Sequence, residues 1–313
     1  EQSKRSVDIE DFALLRSNGM PTYHMASCAD DVDLQITHII RGQDHLSNTF
    51  KHVLIFEALG ATPAAFAHLP LLTAPDGAKL SKRKHGPVVS VTTYRDAGFL
   101  PHAYVNFLCL LGWSPKDNRE QMTREELIEA FKFENVNRSN AVVNFTEEDP
   151  LDPKALWLNS QHLRTMPAET LAPYVREALT RAGLEVPQSE SDFIRTVDIV
   201  RSRLVTLNDF ATKGLPYFSS DFESQPEALA KLDVPGAREL LHELGARLVN
   251  LEEWSETAIE NEARAVAKDH NVKAGVIING ARAALTGQTV GPSAFALFIA
   301  VGRERSLYRL RNA

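Results

Sequence analysis

The chain has 313 residues, 34 of them Lys or Arg and 41 Asp or Glu, for a net charge of −7. Its 43% hydrophobic and 24% charged content fits a soluble globular chain and excludes a disordered or fibrous one. At about 150 residues per domain the length predicts two domains, or three small ones. The acidic balance argues against indiscriminate nucleic-acid binding but leaves room for a local basic stripe. Cys28 and Cys109 are too few and too far apart for a disulfide framework or a thiolate zinc site, which points to a reducing, cytoplasmic setting. The apolar stretch Ala294–Val301 is far short of the about 18 residues a membrane span needs, so no membrane is expected. The opening Glu1-Gln2-Ser3-Lys4-Arg5 has no Met and no apolar run behind it and does not read as a signal peptide.

In chain order, residues 12–15 and 36–41 read as short strands, with turn chemistry at Gly19-Met20-Pro21 between them. Asp44 is placed to cap a helix through Phe50, Val53, Leu54, Phe56 and Leu59 that Gly60 ends. Leu69-Pro70-Leu71-Leu72 reads as another strand, and residues 75–87 as a loop. Strand, helix, strand and loop in this order predict half of an α/β domain with a parallel sheet. From Tyr94 to Gly112 the period turns helical, and Thr123-Arg124-Glu125-Glu126 is a capping box. Beyond the polar junction Glu147–Pro153 the chain reads as all-helical. Its segments start at residues such as Ser191-Asp192 and Thr257, with breaks at Gly183, Pro187, Gly214-Leu215-Pro216 and Pro235-Gly236.

Asp76-Gly77-Ala78-Lys79-Leu80-Ser81-Lys82-Arg83-Lys84-His85-Gly86 gathers four cationic side chains within six positions on a loop with glycine at each end. Such a loop can close on a polyphosphate, the lysines acting as point charges and the glycines admitting the backbone. It is not a P-loop, whose spacing differs, and a cationic cluster alone also fits a solvated turn. His38, His45 and His52 recur every seven residues, but the strand predicted before His45 keeps them off one helix face, so no metal site is expected. Arg195, Arg201 and Arg203 gather near Asp198 and Asp209, either as an exposed arginine face or as readers of unstacked bases. Arg303, Arg305, Arg309 and Arg311 form a basic tail that meets phosphate or solvates the last helix.

The order of residues goes further. Lys79-Leu80-Ser81-Lys82-Arg83 resembles the second signature of class I aminoacyl-tRNA synthetases in its glutamyl-tRNA synthetase form. Pro21-Thr22-Tyr23-His24 and Ile40–Thr49 resemble that family's amino-acid and ATP pocket. Tyr94–Pro101 and Asn106–Trp113 resemble its stem-contact region, and Arg282–Gly287 the stretch closing its anticodon-binding domain. These matches are co-linear from about Phe12 to Leu310, which makes them specific together.

The resemblance implies the second half of a Rossmann-like catalytic fold over residues 1–90, a stem-contact region over 91–155 and an α-helical anticodon-binding domain over 156–313. It implies ATP-dependent activation of L-glutamate to an adenylate and transfer to tRNA(Glu) by a monomer, with Mg²⁺ entering on ATP and no metal held by this chain. Lys82 would stabilise the transition state, with Lys79 and Arg83 in support. Tyr23 and Arg41 would hold the substrate's side-chain carboxylate. Asp44 would face its ammonium or the ribose, or only cap a helix. Leu71, Leu72, Leu80 and His45 would adjoin ATP, although Leu71 is equally a core residue. Arg201 or Arg203 would read the anticodon. The family's His-Ile-Gly-His type first signature is not among these residues, so the chain reads as a carboxyl-terminal portion, expected to form adenylate poorly by itself. A free-standing tRNA-binding module and a glutaminyl-tRNA synthetase are the alternatives. The intact basic loop and Arg41 disfavour the first, and the helical carboxyl half disfavours the second.

Overall fold

The structure, a computed structural model, describes residues 2–186 and 189–313. Pro187, where a break is predicted, lies outside them. The chain divides into two compact units, one of residues 1–89 and 108–150, the other of 90–107 and 151–313.

The first unit opens with the predicted turn. Residues 12–15 do not form a strand: Leu15 makes a single antiparallel bridge to Pro21. The segment closes on itself through Arg16 N–H to Met20 O (2.8 Å) and Thr22 N–H to Leu14 O (2.8 Å), leaving no length to pair elsewhere. Helix α1 (Tyr23–Asp33) follows, an element the sequence pattern does not announce. Strand β1 (His38–Gly42), helix α2 (Leu46–Ala58) and strand β2 (Ala65–Leu69) form a parallel crossover pairing His38 with Ala65 through Gly42 with Leu69. Gly60, at φ +70°, ends α2 as predicted. Its N–H bonds Glu57 O, and Ala61 N–H reaches back to Phe56 O, a closure that needs a left-handed residue.

The strand predicted at 69–72 is instead split around Pro70, which lacks an N–H to continue a ladder. Strand β3 (Leu72–Thr73) resumes beyond it and pairs in parallel with strand β4 (Ala141–Val142). Within the predicted loop, residues 72–80 fold into a hairpin, with Gly77 at φ +82° and Leu80 N–H bonded to Leu72 O. One turn of helix, α3 (Lys82–His85), follows.

Helices α4 (Val91–Asp96) and α5 (Pro101–Leu110) fill the predicted helical stretch, and the boundary between the units falls within α5. Helix α6 (Arg124–Ala130) starts on the predicted capping box. Thr123 Oγ1 accepts from Glu126 N–H, and the Glu126 carboxylate accepts from Thr123 N–H. Cys28, Ile55 and Phe56 form one small core, packed by Phe12, Met25 and Phe66; Trp113, Met122 and Leu127 form another.

The second unit is helical beyond the junction, as predicted: α7 (Pro153–Thr165), α8 (Ala168–Arg181), α9 (Glu190–Val200), α10 (Leu215–Phe218), α11 (Pro226–Leu232), α12 (Ala237–Leu248), α13 (Glu256–Asp269), α14 (Ala274–Thr286), α15 (Ala296–Val301) and α16 (Arg303–Arg311). The predicted caps move by two residues. Ser189 caps α9 and Ser255 caps α13, each hydroxyl accepting the N–H three residues on. The basic tail is largely turned inward. Arg309 donates to Pro216 O (2.8 Å), Leu285 O (2.5 Å) and Ser219 O (2.7 Å), Arg305 to Tyr217 O (2.8 Å), and Arg303 to Leu251 O (2.7 Å). Burial pushes the Arg309 guanidinium down to about 10. No helix among the described residues is long and apolar enough to cross a membrane.

Candidate active site

In the first unit the carboxyl end of β1, the start of α1 and the basic hairpin converge. Ligands of open α/β sheets bind beyond the carboxyl ends of the strands. Arg41, next to last in β1, has its guanidinium fastened on three sides. Nη2 donates to Thr49 Oγ1 at 2.8 Å and to His45 O at 3.3 Å, and Nη1 to His52 Nδ1 at 3.3 Å. The Phe66 ring lies 5.3 Å from the guanidinium carbon. Nε is buried with no hydrogen-bond partner among the described residues. Tyr23, the first residue of α1, is half exposed, its ring centroid 5.4 Å from His24, 5.9 Å from His52 and 6.1 Å from His45.

Asp44 does not cap α2, which begins without a side-chain cap. Its carboxylate instead meets Lys79 Nζ at 2.5 Å and lies 3.9 Å from His45 Nε2. The Lys79 ammonium holds the Asp44 carboxyl below the usual range. Gly42 permits this approach, since a Cβ there would stand 2.5 Å from Asp44 Oδ1 and 3.7 Å from the Leu71 side chain. The ion pair ties the hairpin to the β1 end, because Lys79 sits on the returning arm opposite Thr73. Lys82 and Arg83 open α3, where Ser81 Oγ accepts from Lys84 N–H. Both are exposed, and neither has an ion pair or side-chain hydrogen bond among the described residues. Leu71 and Leu80 are half-buried, and Leu72 stands in β3. Tyr23, Arg41, Asp44, His45 and Lys79 are thus brought together, while Lys82 and Arg83 occupy the adjoining turn.

Four residues of this site have no individual role in the sequence reading, which includes His24 and Thr49 only within the pocket-like stretches, His52 only in the histidine repeat, and His68 not at all. A signal was available. His45, Thr49 and His52 are spaced i, i+4, i+7, one face of the helix that follows β1. As expected, the three histidines do not share one helix face: His38 stays on the strand beside Thr37, His45 ends the turn before α2 and meets Arg41 through its carbonyl, and His52 on α2 meets Arg41 through its ring.

In the helical unit the two candidate arginines part company. Arg201 bonds inward to Met166 O and Leu163 O (3.4 Å) and pairs with Asp198 at 2.5 Å. Arg203 is exposed and lines a cavity of about 320 Å³ with Lys213, Tyr217, Gln288, Gly291 and Pro292.

Residues 2–149 match the model described as class I tRNA synthetases (E and Q), catalytic domain, and residues 167–313 match an anticodon binding domain. The chain thus joins a stretch matching the class I tRNA synthetase catalytic domain to one matching an anticodon-binding domain. Within that class its relatives are glutamate–tRNA ligases. That of Solibacter usitatus is 50% identical over 320 residues, covering 100% of this chain and 65% of the relative. That of Koribacter versatilis is 44% identical, over 98% of this chain and 62% of the relative. The crystal structure of a glutamate–tRNA ligase from Elizabethkingia meningosepticum, in complex with its amino acid, superposes with a TM-score of 0.80 at 30% identity. It covers 97% of this chain and 62% of the other. The chain therefore spans just under two thirds of the length of the relatives it matches.

Proposed function

We propose that this chain carries the second half of the active site and the anticodon reader of a glutamate–tRNA ligase. Such an enzyme couples L-glutamate and ATP to glutamyl-adenylate and diphosphate, then transfers glutamate to the 3′ end of tRNA(Glu) with release of AMP. The observation that carries this reading is the Asp44–Lys79 ion pair, which holds the basic hairpin beside Arg41. A carboxylate at Arg41 would lie next to cations able to take a triphosphate.

In this reading Arg41 and Tyr23 hold the side-chain carboxylate. Arg41 commits three of its five donors to the protein, leaving Nε and one Nη1 hydrogen. Asp44 faces the ammonium or the ribose. Lys82, exposed and without an ion pair among the described residues, meets the phosphate oxygens as negative charge builds in the transition state, with Lys79 and Arg83 supporting it. Leu71, Leu72, Leu80 and His45 border ATP, which brings its own Mg²⁺. Residues 91–155 contact the tRNA stem, and in 156–313 Arg203 reads an anticodon base. Arg201, already bound to carbonyls and Asp198, holds that arginine's 3-10 turn in place. The setting is a cytoplasmic monomer.

The test is glutamate-dependent exchange of pyrophosphate into ATP by the protein at its natural full length. Lys82→Ala should lower the exchange rate about 100- to 1,000-fold, as loss of one charge-stabilising donor does. Absence of glutamate-dependent exchange in the unsubstituted protein, together with intact binding of tRNA, would favour a tRNA-binding module instead.

A further inference from the structure

Histidines crowd this site, His52 fully buried among them, and the hydrogen-bond directions assign His52 and His24 a state. Arginine only donates, so His52 Nδ1, 3.3 Å from Arg41 Nη1, accepts and carries no proton. The His52 proton is then on Nε2, which lies 3.0 Å from His24 Nδ1. His24 Nδ1 must accept in turn, placing its proton on Nε2. On the other side Thr49 Oγ1 accepts from Arg41 Nη2, so its own proton is directed to His68 Nε2 at 3.0 Å or His45 O at 3.4 Å. His68 stands opposite Arg41 in the sheet register, and its ring stacks on Phe66.

A proton on His52 Nδ1 would turn it from acceptor into donor, facing a cation that cannot accept. From these directions we infer that His52, backed by His24 and flanked by Thr49, is the positioning residue that orients the Arg41 guanidinium for substrate, and that it does so only as the neutral Nε2–H tautomer. This deepens the proposed function and rests on Arg41 binding the glutamate side chain.

The surroundings agree. His52 is 1% exposed, and burial with the Arg41 charge pushes its pKa down to about 4; His24 and His68 are lowered by burial first and by Arg41 as well. The groups facing His52 are Tyr23 and His24 on α1, Arg41 on β1 and His45 ahead of α2. Lys51 on α2 adds positive charge at His24, and Asp31 on α1 is the carboxylate that interacts with Arg41. The Cys28 thiol is 4.0 Å from His52 O and touches the backbone, leaving the ring free of it.

Two measurements test this. In the chain itself, long-range ¹⁵N–¹H spectra of the imidazoles should show His52 as the Nε2–H tautomer, neutral down to about pH 5. Arg41→Met should raise its pKa in part, because the Arg41 charge is removed while burial, the larger cause, remains. In the protein at natural full length, His52→Leu should raise KM for L-glutamate about 10- to 100-fold while changing kcat by less than about threefold, the loss expected for a hydrogen bond to a charged group. His52→Asn, whose side-chain oxygen can take the place of Nδ1, should recover most of that loss. An Nδ1–H tautomer, an ordinary titration in the unsubstituted chain, or equal impairment of the Leu and Asn variants would overturn the inference. If the unsubstituted full-length protein shows no dependence on glutamate, the functional reading fails, and the tautomer and its response to Arg41→Met still decide the positioning claim.

Discussion

The two units bury different chemistry. The helical unit has one continuous core in which 35 described residues are buried, and it turns even its arginines inward onto carbonyls. The first unit buries its apolar residues in small groups such as Cys28, Ile55 and Phe56, and it leaves Leu15, Met20, Ile40 and Leu69 exposed. Its buried centre holds a guanidinium and imidazoles instead. Apolar burial contributes about 25 cal/mol per Å², whereas a hydrogen bond between buried polar groups contributes only about 0.5–1.5 kcal/mol net. The comparison teaches that the unit bearing the candidate site is the one with the thinner apolar support.

The largest effect should come from the core of the helical unit. Leu241 on α12 is fully buried and packs where a Cβ at Gly280 of α14 would stand 3.3 Å from it. Leu241→Ala should cost about 2–5 kcal/mol of that unit's unfolding free energy. In a urea titration followed by hydrogen exchange, the helical unit should lose protection earlier while the first unit is unmoved. Equal loss in both would break the comparison.

Acid should act in the opposite sense. His24, His52 and His68 in the first unit all have depressed pKa values, against His162 in the helical unit. For a depressed imidazole the unfolded chain binds the proton first. The neutral ring's contribution is therefore complete above the unfolded value near 6.5 and is lost as pH falls toward about 4. The Asp44–Lys79 pair has a lower window, present above the ordinary carboxylate value of 3.8 and lost below it. Urea midpoints between pH 7 and 4.5 should fall further for the first unit, read by the buried Trp113, than for the helical unit, read by Trp254. Parallel decline would show that the imidazole cluster is not what sets the first unit's stability.

The smallest effect belongs to a surface cap. Thr123→Ala should cost about 1 kcal/mol and fray α6. Its signature is faster amide exchange at Glu126 with no change in the helical unit.

Much of this was legible along the chain because it rests on local rules. The capping box at Thr123, the stop at Gly60 and the helical run beyond Pro153 each depend on neighbours a few residues apart. The co-linear motifs around Arg41 and Lys79–Arg83 identify the family because their order is itself linear information. Helix α1 was hidden because Tyr23–Asp33 presents little apolar periodicity, with Cys28 its one buried residue. The strand around Pro70 was misplaced because apolar composition marks a strand, while the missing N–H decides where its ladder stops.

By itself the sequence determined the class of fold, the order of its parts and the residue types gathered at the candidate site. Which groups those residues lean on was decided by tertiary structure. His24 and His52 are 28 positions apart, Asp44 and Lys79 are 35 apart, and Arg309 reaches a carbonyl 93 positions away. Whether an arginine faces solvent, a base or a carbonyl depends on desolvation and the placement of acceptors. Those are fixed only when separate elements pack, and no spacing along the chain encodes them.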